Sequence, residues 1–531
     1  MPERPDAIPT AREGAAWAAA AGLAVAAVVA LSLTASLVGV FYDDGIYLAL
    51  ARSLAGGHGY RLLYLPGAPG AVTYPFGYPL FLAALWKLYP SFPANVALFK
   101  AANATLLGLF AAALVLYLRG RVARSELRLA ALVTAAATAV PLVTVATVLF
   151  AEPLFLVLLV AACWAGDAAR RAATPRSAWG LAALAGLLAG AAALTRSVGI
   201  VVLFGVIVSL LAVRRPRAAI VAAVAGAVCL APWLAWAARH HGDADPILVA
   251  SYGTYTDLIA QAGWAWLSPA SVVDLLAPLG AVALAPFHGW LRFYLGVPAL
   301  IVTVAGFAPL LHRAPSLGWS LVAYLVVVLL WPYGPDRFLW AVWPLLVLAF
   351  ALGVERSWAY LAPTAPSLRS IGRCCVALVA AVVLFGYGFY QVRGYIRGDA
   401  GAVQRGISAT LGEIVPWIRE ATPPEAVVAG EDEALLWLYT GRRAVPNYVF
   451  RHRGRGSESL GPDSLRAWFD RAGVTEAVLT GPGSDAAATI NDLLSRFPGY
   501  LRVARVWPGS LLAFTVDRAA AESRRTGGTA P

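Results

Sequence analysis

Lysine is nearly absent: of 41 basic residues only Lys87 and Lys100 are lysine. A GC-rich genome explains that bias more readily than phosphate binding does. Charge of either sign is also scarce, at 13% of 531 residues against 60% hydrophobic, and this excludes an ordinary soluble protein. The four cysteines have neither metal-ligand spacing nor the pattern of a disulfide framework; Cys163 and Cys229 lie inside apolar runs, and Cys374 and Cys375 begin another. There is no GxGxxG and no P-loop, so a nucleotide site has no support. The net charge of +12 does not point to nucleic acid, because no basic patch is interleaved with aromatics. The arginines sit instead in short clusters between apolar runs, as in a polytopic membrane protein.

Hydrophobic run length predicts spans near 15–39, 94–118, 128–145, 147–167, 178–193, 196–213, 218–237, 294–311, 317–332, 338–354 and 371–391. The expected fold is an α-helical polytopic membrane protein of about 11 transmembrane helices with short outer-face helices, followed by a small α/β extracytoplasmic domain. Residues 1–14 read as a disordered cytoplasmic tail, 15–391 as the membrane module, 392–520 as the α/β domain and 521–531 as a second disordered tail. The first run is too long for a signal-peptide core and lacks a convincing cleavage site, so it reads as a retained anchor.

The positive-inside rule orients the chain. With the N-terminus inside, the inner loops hold Arg119, Arg121, Arg124 and Arg128, then Arg170, Arg171 and Arg176, then Arg214, Arg215 and Arg217, then Arg313, then Arg356, Arg369 and Arg373. The alternate loops hold Asp43, Asp44, Glu152, Arg196, Asp243, Asp245, Asp257, Asp274, Asp336 and Arg337. An odd helix count leaves the C-terminal domain outside. The long outer loop, 239–293, carries Tyr252, Tyr255, Trp264, Trp266 and Trp290 and reads as an interfacial lid.

The chemistry is expected in the first outer loop, 40–93. Asp43 and Asp44 stand before Ile46, Leu50, Ala51 and Leu54, a helical spacing for a short helix lying on a surface. One carboxylate is enough for a helix cap, so the pair calls for more than capping. Ionisable groups at span ends are costly to desolvate, which adds Glu152 in FAEPLFLVL, Arg196 in ALTRSVG and Arg337 in PDRFLWAVWP as candidates. His58, between glycines, favours a loop role over a ligand role. His240 and His241, being adjacent, are poorly spaced for one tetrahedral metal. Glu431, Asp432 and Glu433 favour the acidic first turn of a helix over a metal site.

The order of DDGIYLALARSLAGGHGY, TYPFGYPLFLAALW, FAEPLFLVL, ALTRSVG and PDRFLWAVWPLLVL, behind a long first helix, resembles the type-C glycosyltransferases over residues 15–391. The bacterial branch with aminoarabinose transferase and the protein O-mannosyltransferases looks most similar. The resemblance implies a polyprenyl-phosphate sugar donor, transfer on the non-cytoplasmic face of the bacterial inner membrane, and an acidic residue of the first outer loop as general base. By position that base is Asp43, with Asp44 as alternate or support, and Tyr47, His58 and Tyr60 join as candidate substrate contacts. Where the aminoarabinose transferases carry an Arg shortly after the acidic pair, this chain has Ile46, so the phosphate's cation must come from elsewhere. Arg196 and Arg337 can supply it, since a guanidinium meets phosphate bidentately. A divalent metal on Asp44 and Glu152 is compatible with the sequence, which does not demand it. The acceptor, whether lipid, glycan or protein, is left open.

Two other classes compete. A transporter or lipid flippase would place charges at mid-membrane and show internal symmetry, whereas here the charges gather at one face and no repeat is visible. A non-catalytic anchor for the outer domain needs one or two helices, not about eleven.

Overall fold

The computed structural model describes residues 11–122, 125–263, 270–332, 334–361, 366–481 and 483–519. The chain is mostly helical, and in order its helices are α1 (Ala11–Leu31), α2 (Asp43–Ala55), α3 (Gly77–Leu88), α4 (Val96–Leu118), α5 (Glu126–Ala137), α6 (Val140–Thr147), α7 (Glu152–Arg171), α8 (Pro175–Thr195), α9 (Ile200–Ala212), α10 (Pro216–His240), α11 (Val249–Tyr252), α12 (Tyr255–Ala262), α13 (Ala270–Ala283), α14 (Gly289–Arg313), α15 (Pro315–Leu330), α16 (Asp336–Ala341), α17 (Trp343–Tyr360), α18 (Pro366–Arg397) and α19 (Ala402–Ala421). The α/β region then runs β1 (Val427–Gly430), α20 (Glu433–Thr440), β2 (Arg443–Pro446), β3 (Phe450–Arg453), β4 (Gly456–Ser459), α21 (Gly461–Ala472), β5 (Glu476–Leu479), α22 (Asp485–Arg496), β6 (Leu501–Trp507) and β7 (Leu511–Val516).

By length and composition, 7 of the described helices can cross a membrane, or 8 if the bent pair α5 and α6 is one span. Eleven spans are therefore not found, and local chemistry explains the difference. The run expected at 128–145 bends by 61° between α5 and α6, where Pro141 lies in the first turn of α6 and contributes no amide donor. Leu149 takes φ 62 after α6, so the next helix begins only at Glu152, followed by Pro153. The run expected at 338–354 breaks at Val342 between α16 and α17, just before Pro344. The helix Ser197–Ala212 and α15 are apolar but shorter than a span.

Two compact units emerge. The first joins 1–34, 97–233 and 267–402. Its helices meet at small residues: a Cβ on Gly306 would lie 1.7 Å from the Ala349 carbonyl, and one on Gly353 would lie 1.8 Å from the Val302 carbonyl. Backbones of α14 and α17 thus touch directly, the packing favoured where hydrocarbon surrounds the helices and small residues let them approach. Leu378, Leu384, Phe385 and Phe389 of α18 remain exposed, as a lipid-facing helix requires.

The second unit joins 35–96, 234–266 and 403–531. Its sheet has the order β2-β1-β5-β7-β6, with β1 parallel to β2 and β5, and with β7 antiparallel to β5 and β6. A separate antiparallel hairpin pairs β3 with β4. Val427, Val428, Ala429, Ala477 and Val478 are buried, as a central parallel strand pair covered on both faces demands. The helix α2 differs from the expectation of a surface-lying segment: Asp44 to Ala51 are all buried. Packing against α3 and α20 encloses it on more than its apolar face. Of the aromatics assigned to the interfacial loop, Trp264 and Trp266 lie outside the described residues, while Tyr252 is buried and Trp290 is 72% exposed.

Candidate active site

In the second unit, the adjacent carboxylates Asp43 and Asp44 part company. The Asp44 carboxylate turns back on the preceding loop and accepts three amides, from Gly39 at 2.6 Å, Val40 at 3.2 Å and Phe41 at 2.8 Å. It is fully buried. Burial raises its carboxyl to about 6, against the opposing pull of those amides, and Asp43 adds a smaller repulsion. Asp43 faces the other way and accepts the Tyr74 hydroxyl at 2.5 Å. Tyr42, just before it, takes φ 64, a left-handed conformation that side chains other than glycine seldom adopt.

Tyr74 gathers two of the candidate contacts around Asp43. The ring of Tyr47 packs edge-on to Tyr74 with centroids 5.3 Å apart, and the Tyr60 hydroxyl donates to the Tyr74 carbonyl at 2.8 Å. His58 does not join them. It sits in the exposed turn after α2, and the thirteen-residue helix separates it from Asp43 by about 18 Å at 1.5 Å per residue. Its amide donates to the Ser53 carbonyl.

In the first unit, Glu152, Arg196 and Arg337 come together although they lie far apart in the chain. Arg196 forms an ion pair with the Oε1 of Glu152, and the Nε of Arg337 lies 3.2 Å from the same oxygen. Glu152 is fully buried, while the side chains of Arg196 and Arg337 are 9% and 27% exposed. Glu152 opens α7, and Arg196 follows the last residue of α8, so each charge has the sign its helix end favours. Aromatic faces complete the setting: Phe150 lies under Arg337 at 3.6 Å and Phe338 under Arg196 at 5.6 Å. The buried amide of Asn103 donates to the Phe150 carbonyl at 3.1 Å and the Ala146 carbonyl at 3.3 Å, fixing the loop before Glu152. The other Glu152 oxygen is buried without a hydrogen-bond partner among the described residues.

The cluster has one carboxylate and two guanidiniums, a net charge of +1 in a largely dry setting, which suits an anion. The divalent-metal reading of Asp44 with Glu152 fits neither group. Asp44 spends both oxygens on amides, and the Oε1 of Glu152 is shared by two arginines. No three His, Cys, Asp or Glu side chains gather at metal-binding distance among the described residues.

The sequence did not mark Tyr74 or Asn103: Tyr74 stands inside TYPFGYPLFLAALW, and Asn103 sits in an apolar run whose composition marks nothing unusual. Tyr252, expected as an aromatic of an interfacial lid, and Glu433, expected in the acidic first turn of a helix, are both buried. The acidic run has three fates: Glu433 opens α20 as expected, Asp432 precedes it, and Glu431 bonds the amides of Thr480 and Gly481.

The fold is that of the type-C glycosyltransferases. No protein-family model and no curated protein matches the chain. Among solved structures it is similar to the oligosaccharyltransferase AglB from Archaeoglobus fulgidus in complex with an inhibitory peptide and a dolichol-phosphate. That match has a TM-score of 0.56 and 13% identity, covering 95% of this chain and 74% of the other. It is also similar to ArnT, an aminoarabinose transferase, from Cupriavidus metallidurans: in the apo state at a TM-score of 0.54 and 15% identity, and bound to undecaprenyl phosphate at 0.51 and 16%. Both ArnT matches cover 94% of this chain and 98% of the other.

Proposed function

We propose that the protein is a membrane glycosyltransferase that moves a sugar from a polyprenyl-phosphate donor to an acceptor hydroxyl on the extracytoplasmic face of a bacterial inner membrane. The observation that carries this reading is the Arg196–Glu152–Arg337 cluster, found on a fold whose solved examples include one with dolichol-phosphate and one with undecaprenyl phosphate. In the transfer, the acceptor oxygen bonds to the anomeric carbon as the bond from that carbon to the phosphate oxygen breaks. The departing polyprenyl phosphate gains negative charge. Arg196 and Arg337 hold that charge through charge-assisted hydrogen bonds, and Glu152 fixes both guanidiniums beforehand so that little reorganisation is needed. Asp43 takes the acceptor's hydroxyl proton, with Tyr74 orienting its carboxylate. Asp44 holds the loop from which Asp43 projects. Tyr47 and Tyr60 line the substrate side of Asp43.

The test is lipid analysis of a strain lacking the gene, followed by assay of the purified protein with the lipid found. A sugar-phosphate polyprenyl lipid should accumulate in the deletion strain, and the purified protein should consume it and release polyprenyl phosphate. No accumulation, together with no release from any polyprenyl-phosphate sugar offered, would overturn the reading.

A further inference from the structure

The C-terminal α/β region carries no catalytic motif, yet the first turn of α20 is built against the loop that presents Asp43. A Cβ on Gly39 would lie 3.2 Å from the Cβ of Leu435, and one on Gly45 would lie 3.2 Å from the Cβ of Ala434. The glycines on either side of the acidic pair therefore fit directly against α20. The Tyr439 hydroxyl accepts the Val38 amide at 3.2 Å, and the Ser408 hydroxyl accepts the Leu37 amide at 2.8 Å.

Glu433 adds the polar part of this contact. It is 1% exposed and accepts the hydroxyl of Tyr252, itself 2% exposed. The Tyr64 hydroxyl donates to Tyr252 at 3.3 Å. The ring of Tyr42 packs against that of Tyr252, with centroids 6.4 Å apart and the planes tilted by 40°. Tyr42 is the residue held at φ 64, and Asp43 comes next. A left-handed tyrosine persists only where its surroundings over-determine it. Here the Asp44 carboxylate ties down the backbone before it, and the ring of Tyr252, held by Glu433, packs against its side chain.

We infer that Glu433 is a positioning residue for Asp43, acting through Tyr42 and Tyr252, so that the C-terminal α/β region is an integral part of the catalytic unit. The inference rests on the assignment of Asp43 as general base. Without the buried Glu433 to hold Tyr252, Tyr42 would leave its strained conformation, and Asp43 would swing with it away from Tyr74. A displacement of about 1 Å in a positioned group can cost about 10²-fold in rate.

The test compares Glu433→Gln, Tyr252→Phe, Asp43→Asn and the double variant Asp43→Asn with Glu433→Gln in the full-length protein, measuring kcat and the donor KM. Glu433→Gln and Tyr252→Phe should each lower kcat by about tenfold or more with the donor KM unchanged. In the Asp43→Asn background, Glu433→Gln should cause no further loss, because its effect passes through Asp43. A Glu433→Gln loss that multiplies with the Asp43→Asn loss would mark a role in folding alone and overturn the inference. So would full turnover in both Glu433→Gln and Tyr252→Phe. If Asp43→Asn itself turns over normally, the base assignment fails first, and that outcome is separate from the other two. Tyr252→Phe removes one hydroxyl and keeps the packing, so the test stands even if Glu433→Gln folds poorly.

Discussion

Replacing Glu152 by Gln removes the carboxylate shared by Arg196 and Arg337 and takes the local charge from +1 to +2. Glu152 is fully buried and Arg196 is 9% exposed, so little water is at hand to solvate the charges left behind. Breaking a buried pair by deleting one partner costs about 3–5 kcal/mol, mostly from the stranded charge. The Gln carbonyl still accepts one hydrogen bond, which puts the loss toward the lower end of that range. At roughly 1 °C per kcal/mol for a chain of 531 residues, Tm should fall by about 3 °C. The same substitution should make the site a better phosphate binder, because an added dianion then replaces a missing carboxylate. Scanning fluorimetry of the purified protein, with and without undecaprenyl phosphate, measures both effects. A ligand at a hundred times its Kd stabilises by about 2.7 kcal/mol, and tighter binding raises that figure at fixed concentration. Glu152→Gln should therefore be destabilised when free and gain more from undecaprenyl phosphate than the wild type gains. An unchanged Tm, or a lipid-induced shift smaller than the wild type's, would refute the reading of the cluster as a pinned phosphate cradle.

Asp43→Asn should lower turnover by the ~10²- to 10⁴-fold typical of a lost general base while donor binding is kept. Asp44→Asn should act on stability instead, because an amide NH2 cannot accept from the loop amides. Leaving one of them unpaired costs about 1–3 kcal/mol by denaturation; if turnover survives in Asp43→Asn and vanishes in Asp44→Asn, the two roles are exchanged. Arg337→Lys keeps the charge and loses the planar fork, so the donor KM should rise with kcat less affected, and an unchanged donor KM in Arg337→Ala would remove Arg337 from the site. Stability should also depend on pH in an unusual direction. Burial raises Asp44 to about 6, Glu433 to about 7 and, with repulsion from its acidic neighbours, Asp432 to about 8. At these three groups the folded state holds more protons than the unfolded chain, so their contribution to stability declines as pH rises from about 4 to about 8, while the lowered Asp243 and Asp257 lose theirs only below about 4. Thermal unfolding between pH 5 and 8 should show Tm falling with pH and a flatter slope in Asp432→Asn; a rising Tm would contradict it.

The bilayer-length runs and the change of composition after Tyr390 were legible because each is a property of consecutive residues. The number of spans was not legible. It depends on whether an apolar run stays one straight helix, and that turned on single residues such as Leu149 at φ 62 and Val342 ahead of Trp343 and Pro344. Among the site residues, one-sided charge pointed to Glu152, Arg196 and Arg337 as a set. Their convergence on a single carboxylate oxygen was out of reach, with Glu152 and Arg337 lying 185 residues apart.

Asp43 and Asp44 show the limit most sharply, since they are identical in type and adjacent in sequence. What separates them is the conformation of the five residues before Asp44. Gly39 at φ 90 and Tyr42 at φ 64 curl the loop so that three amides converge on Asp44 and leave Asp43 directed at Tyr74. Gly39 adopts its positive φ freely, but Tyr42 at φ 64 persists only where the surroundings over-determine it. The groups that hold it come from distant parts of the chain: Tyr252 from the 234–266 segment, and Glu433, Ala434 and Leu435 from the C-terminal region. A general base must keep its position through the reaction to within a fraction of an ångström. A carboxylate on a short loop meets that requirement only if another element clamps the loop, and in this chain α20 has the contacts to do it.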